Sequence, residues 1–145
     1  MHTLFIGGGN MATALAGGLV ARGTRPSQLR VVEPLAEQRE RLGQQYSGIA
    51  TFAAPSGDAV AGANVVVLAV KPQQMRAACG SLAPHLPSTD ALVLSIAAGT
   101  RIADIARWLA GYERIVRAMP NTPALIGQGI SGVFAPASID AGGRL

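Results

Sequence analysis

Apolar residues along this chain come in short unbroken runs set apart by glycine, proline and charged positions, and two kinds of run alternate. Met1–Ile6 (MHTLFI), Leu29–Val32, Ile49–Phe52, Val65–Val70 (VVVLAV), Ala91–Ile96 (ALVLSI), Arg114–Ala118 and Ile130–Ala135 are short and apolar, which predicts strands. Between them, Met11–Arg22 (MATALAGGLVAR), Leu35–Gln45 (LAEQRERLGQQ), Ser56–Ala61, Gln73–Leu82 and Arg101–Leu109 predict helices. Val65–Val70 and Ala91–Ile96 are apolar on both faces, as strands at the centre of a parallel sheet are. Pro34 is expected in the first turn of the second helix, and Pro72 at the start of the fourth. Thr100 is expected to cap the fifth, while Asp58, Asp90 and Asp104 read as caps or first-turn acids. Such β-α repetition with short connections predicts an α/β fold built on a doubly wound, mostly parallel sheet.

Composition narrows the picture. With 145 residues, 49% hydrophobic and 14% charged, the chain suits one folded domain and leaves no room for a second complete one. Ser138–Leu145 has the look of a helix start cut short, so the expectation is a dinucleotide-binding domain over residues 1–145, truncated at its C-terminal end. The net charge of +4 comes from arginines scattered without a basic run, which argues against nucleic acid. A single cysteine, Cys79, excludes an internal disulfide, and His2 and His85 show no metal-ligand spacing with it. The glycine turn begins at residue 7, leaving no space for a signal peptide, and no apolar run is long enough to span a membrane. The expected setting is the cytoplasm.

The candidate chemistry lies just after the strands, where ligands bind in open α/β sheets. Ile6-Gly7-Gly8-Gly9-Asn10-Met11-Ala12 joins the first strand to the first helix as G-x-G-x-x-A, the turn of a Rossmann fold. There Gly7 would make the tight turn and Gly9 would let the backbone approach a pyrophosphate, which the helix start attracts. Glu33 ends the second strand, 24 residues after Gly9, where a carboxylate can accept from an adenosine ribose 2′-hydroxyl and repel a 2′-phosphate. That favours NADH over NADPH, although Arg39 and Arg41 are near enough in sequence to offset the charge; the alternative role is a carboxylate complementing the helix start. Lys71, the only lysine, follows the most apolar strand and could reach a phosphate or ribose, or simply extend into solvent. Asn121 and Thr122, between Pro120 and Pro123, could present an amide and a hydroxyl to substrate or nicotinamide, or merely reverse the chain. No Ser-His-Asp order, phosphate-binding G-x-x-x-x-G-K-[ST] loop or general acid is evident, so a cofactor would carry the reaction.

The segments Ile6–Ala12, Leu68-Ala69-Val70-Lys71-Pro72, Ser95-Ile96-Ala97-Ala98-Gly99 and Arg117-Ala118-Met119-Pro120-Asn121-Thr122-Pro123, in this order, resemble pyrroline-5-carboxylate reductase. The resemblance implies reduction of 1-pyrroline-5-carboxylate to L-proline, the last step of proline biosynthesis, with NADPH or NADH. It implies that Gly7 to Met11 (Gly7, Gly8, Gly9, Asn10 and Met11) cradle the pyrophosphate and that Ala69, Val70, Lys71 and Pro72 contact the adenosine side. Ala97 and Ala98 would line the nicotinamide, with Asn121 nearest the imine. Ser56 stands where many members of that family have a cofactor-contacting asparagine. Members often hold a 2′-phosphate with serine or arginine after the second strand, where this chain has Glu33-Pro34-Leu35. The family continues into a helical domain that dimerises and completes the substrate site, so this chain alone is expected to be inactive and a homo-oligomer is expected only for the longer protein. Competing readings are another small Rossmann reductase, of the 3-hydroxyacid or F420-dependent type, against which the M-P-N-T-P loop argues, and a non-catalytic nucleotide-binding module.

Overall fold

A computed structural model describes residues 1–120 and 131–139. Seven strands form one sheet: β1 (Thr3–Ile6), β2 (Leu29–Val32), β3 (Ala50–Phe52), β4 (Val65–Leu68), β5 (Leu92–Ser95), β6 (Ile115–Pro120) and β7 (Ser131–Phe134). Their spatial order is β3-β2-β1-β4-β5-β6-β7. All neighbours are parallel except β6 and β7. The chain first builds outward from β1 through β2 to β3, then returns to the other side of β1, so the strand order reverses between β1 and β4. The register brings Ile6, Val32, Phe52, Leu68 and Ser95 to one level, so the carboxyl ends of five strands share an edge. A crevice opens at such a reversal because the connections on either side run to opposite faces.

Alternation along the strands divides the core between the two faces. Leu4 and Ile6 pack with Val66, Leu68, Met75, Cys79 and Leu82 on the side of α4 (Met75–Leu82) and α5 (Ile102–Trp108). Phe5 points the other way, into Ala12, Ala16, Val31, Leu42 and Val67, beneath α1 (Asn10–Ala21) and α2 (Ala36–Gln45). Alanines at 12 and 16 let α1 approach the sheet closely, which an N-terminal turn of only three residues requires.

Several boundaries differ from expectation for identifiable reasons. Val65–Val70 stays paired only to Leu68, because β1 ends at Ile6 and its chain turns away at Gly7. Pro34 lies ahead of the second helix, whose N-cap is Leu35. Pro72 opens a 3₁₀ turn, Pro72–Gln74, and the α-helix begins only at Met75. Thr100 is buried and is not the cap; Arg101 holds that position without a side-chain bond. Asp58 and Asp104 do lie in first helical turns, α3 (Gly57–Val60) and α5, but Asp90 instead pairs with Arg114 at 3.3 Å. Strand β6 runs on through Met119 and Pro120, and β7 returns antiparallel.

Candidate cofactor site

The turn after β1 is shaped by three glycines with three different surroundings. Gly7 has φ +100°, and a Cβ there would stand 2.8 Å from the Ala69 carbonyl oxygen, so only glycine joins β1 to α1 at this height. Gly8 is buried: a Cβ would press on Glu33 and on Leu42 at 3.1 Å. Gly9 is exposed and a Cβ would meet nothing within 4 Å. It is the N-cap of a 12-residue helix and supplies no side-chain cap, so the first-turn amides face that open space with the positive end of the helix dipole behind them.

The second connection holds this turn from outside. Glu33 is buried, its Oε2 accepting the Gly8 N–H at 2.9 Å and its Oε1 the Leu35 N–H at 3.0 Å. Gln38 Nε2 donates to the Gly8 carbonyl at 2.6 Å, joined by a longer bond of 3.4 Å from Thr13 Oγ1. The Arg39 guanidinium donates to the Glu33 and Pro34 carbonyls, both at 2.7 Å, which fixes the course of the chain between β2 and α2. Of the two roles weighed for Glu33, the brace at the approach to α2 is seen in these bonds, and the residue also lines the crevice.

That crevice is a cavity of about 660 Å³ at the carboxyl edge, between β1, β2 and β4, within the range of small-molecule sites. Ile6, Gly7 and Gly9 form its floor, Glu33 one wall, and Ala69, Val70 and Lys71 the other. A dinucleotide's adenosine half fits these groups: free space over Gly9 for phosphate, mostly apolar walls for a base, and a carboxylate and an ammonium at the rim for polar atoms. The remaining residues singled out from the sequence lie elsewhere. Gly8 is turned inward. Asn10 and Met11 belong to the first turn of α1, outside the cavity lining, as does Pro72 in its 3₁₀ turn. The Ser56 hydroxyl caps α3, accepting the Ala59 N–H at 3.1 Å, and does not line the cavity. Ala97, buried, and Ala98, exposed, follow β5, one strand further along the same edge. Asn121 and Thr122 lie outside the described residues.

Sequence reasoning missed much of the lining. Val32, Pro34 and Leu35 beside Glu33, Ala53, Ala54 and Pro55 after β3, and Gln74, Ala77, Ala78 and Ser81 around α4 complete the walls. Most are small and carry no chemistry, so the only signal for them was topological: β3 had to end beside β2. On α4, burial pushes the Cys79 thiol up to about 11, leaving it protonated and inert. Among the described residues no cluster of three His, Cys, Asp or Glu could hold a metal ion, and no helix is long and apolar enough to cross a membrane.

Comparison with known proteins adds relatives to this geometry. Residues 3–99 match a family model described as NADP oxidoreductase, coenzyme F420-dependent. The pyrroline-5-carboxylate reductase of Pseudomonas aeruginosa is 47% identical over 137 residues, spanning 94% of this chain and 49% of that protein. The enzyme of the same name from Pisum sativum is 41% identical, over 88% of this chain and 45% of its own. A solved pyrroline-5-carboxylate reductase from Coxiella burnetii superposes with a TM-score of 0.89 at 37% identity, covering 99% of this chain and 52% of that one. The NADP-bound pyrroline carboxylate reductase of Plasmodium falciparum shares the fold, with a TM-score of 0.80 at 24% identity. The chain spans about half the length of the curated relatives it matches.

Proposed function

Since the chain belongs to the NADP oxidoreductase, coenzyme F420-dependent, family, we propose that residues 1–145 form the dinucleotide-binding half of a pyrroline-5-carboxylate reductase. The reaction is reduction of 1-pyrroline-5-carboxylate to L-proline in proline biosynthesis, with NADPH or NADH. The observation that carries the reading is the open space over Gly9 at the start of α1, continuous with an apolar cavity at the reversal between β1 and β4.

In this reading Gly7 and Gly9 let the backbone reach the phosphates, and Ile6, Ala69 and Val70 flank the adenosine side. Lys71 supplies a positive charge at the rim. An ionised carboxylate has about four acceptor sites, so Glu33 keeps capacity for a ribose hydroxyl after receiving the two amides. Its charge beside the ribose favours NADH at least as well as NADPH. A bound reduced nicotinamide supplies hydride to the imine carbon. A protonated cyclic imine is already electrophilic, so what the protein contributes is position. Ala97 and Ala98, next along the edge from β4 to β5, suit the nicotinamide side, and the substrate-side role of Asn121 and Thr122 rests on the sequence resemblance alone.

Turnover requires residues corresponding to the other half of the relatives, through which the longer protein would also form its homo-oligomer. A cytoplasmic setting suits the lone reduced thiol. Titrating the 145-residue chain with NADH and NADPH by calorimetry tests the cofactor assignment: NADH is expected to bind with a dissociation constant no larger than that of NADPH, and a strong preference for NADPH refutes the role given to Glu33. A steady-state assay is expected to show negligible reduction of pyrroline-5-carboxylate by this chain. The family description also points to a deazaflavin-linked reaction, and reduction of NADP by reduced F420 in the same assay would favour that reading instead.

A further inference from the structure

We infer that Gln38 is a positioning residue for the phosphates of the dinucleotide, acting with Glu33 through the two peptide groups that meet at Gly8. The inference rests on the cofactor assignment above. Glu33 Oε2 holds the N–H of the 7–8 peptide at 2.9 Å, and Gln38 Nε2 holds the C=O of the 8–9 peptide at 2.6 Å. No peptide bond among the described residues is cis. In a planar trans peptide the C=O and the N–H point in opposite directions. With its carbonyl drawn toward α2 by Gln38, the 8–9 peptide directs the Gly9 N–H away from α2. Were that peptide to rotate, a carbonyl oxygen would take the place of the amide hydrogen and repel a phosphate.

Such rotation is easy between glycines, whose backbone has wide conformational freedom. Packing does not oppose it on the Gly9 side, where a Cβ would meet nothing within 4 Å, whereas Gly8 is closely surrounded by Glu33 and Leu42. The direct hold on this carbonyl comes from a side chain 30 residues away in sequence, seated in the first turn of α2. Thr13 adds a weaker bond to the same oxygen at 3.4 Å. Gln38 needs no contact with the cofactor for this effect, and it is absent from the lining of the main cavity.

Q38M tests the inference, since methionine keeps the length of glutamine and cannot donate. Dissociation constants for NADH, ADP and adenosine are measured on the 145-residue chain by calorimetry or chemical-shift titration, alongside thermal unfolding. The expected result is about three- to tenfold weaker binding of NADH and ADP, as the loss of one hydrogen bond allows, with adenosine binding nearly unchanged and unfolding still cooperative, its midpoint lower by only the few degrees that one hydrogen bond accounts for. Unaltered ADP binding overturns the inference. Equal weakening of adenosine, or loss of cooperative unfolding, overturns it too, because Gln38 would then serve the fold at large. If the unsubstituted chain binds neither NADH nor ADP, the cofactor assignment itself fails, whatever Q38M does.

Discussion

Adjacent glycines in this chain do unlike work, and substitution separates them. Alanine at Gly7 meets both a left-handed backbone and the Ala69 carbonyl at 2.8 Å; G7A is expected to lose about 1–3 kcal/mol of stability, read as a lower denaturant midpoint. G9A places a methyl group in open space at φ −71°, so the fold should lose less than about 1 kcal/mol. Its NADH affinity should nevertheless fall severalfold, because in the proposed site the methyl group would stand where phosphate approaches. A chain in which G9A binds NADH normally does not use this turn for phosphate. The spacing of Gly7, Gly9 and Glu33 was readable as a motif. The inward role of Gly8 was not, because its partners Glu33, Gln38 and Leu42 come from a later β-α unit, and no local pattern reports a hydrogen bond across 25 or 30 residues.

Strands were easier to read than the turns between them. A fully apolar run such as Val65–Leu68 has few alternatives to a buried parallel strand, whereas the 3₁₀ turn at Pro72–Gln74 uses the same residues that could begin an α-helix. Ser56 shows the same limit at a candidate site: a hydroxyl just before a helix caps it, and the sequence position alone did not distinguish that from contact with a ligand. Helix α4 carries a pH dependence. Its buried Cys79 titrates at about 11 when folded, against about 8.5 in an unfolded chain, so the folded form holds an extra proton between those values. Stability conferred by this group is complete below about pH 8.5 and is lost as pH rises toward 11. Tyr112, raised by burial and by the charge of Asp90, acts in the same direction at higher pH. Urea midpoints are thus expected to fall between pH 8 and 10.5, and to fall less steeply in C79A. Parallel slopes for the two proteins would show that the thiol is not responsible.

For the molecule as a whole, the edge strand is the exposed side. Every residue of β7 is exposed, and Val133 and Phe134 are 67% and 63% accessible beside Met119 at 43%. Among the described residues β7 ends the sheet, and an apolar edge strand invites pairing between chains. F134K is expected to slow the growth of light scattering on concentration, without altering the NADH affinity; unchanged scattering would place the association elsewhere. The doubly wound order was legible from alternating runs, but the reversal at β7 was not, since a short apolar run carries no sign of its direction. Across the sheet, the cavity draws its described lining wholly from residues 6 to 81. During synthesis these elements leave the ribosome before β5, β6 and β7, and in the finished sheet β3, β2, β1 and β4 are neighbours with none of those strands between them. On the proposed cofactor assignment, a nucleotide would meet this cavity while the later strands are still being made, and by binding only the folded form it would draw the nascent sheet toward its final order.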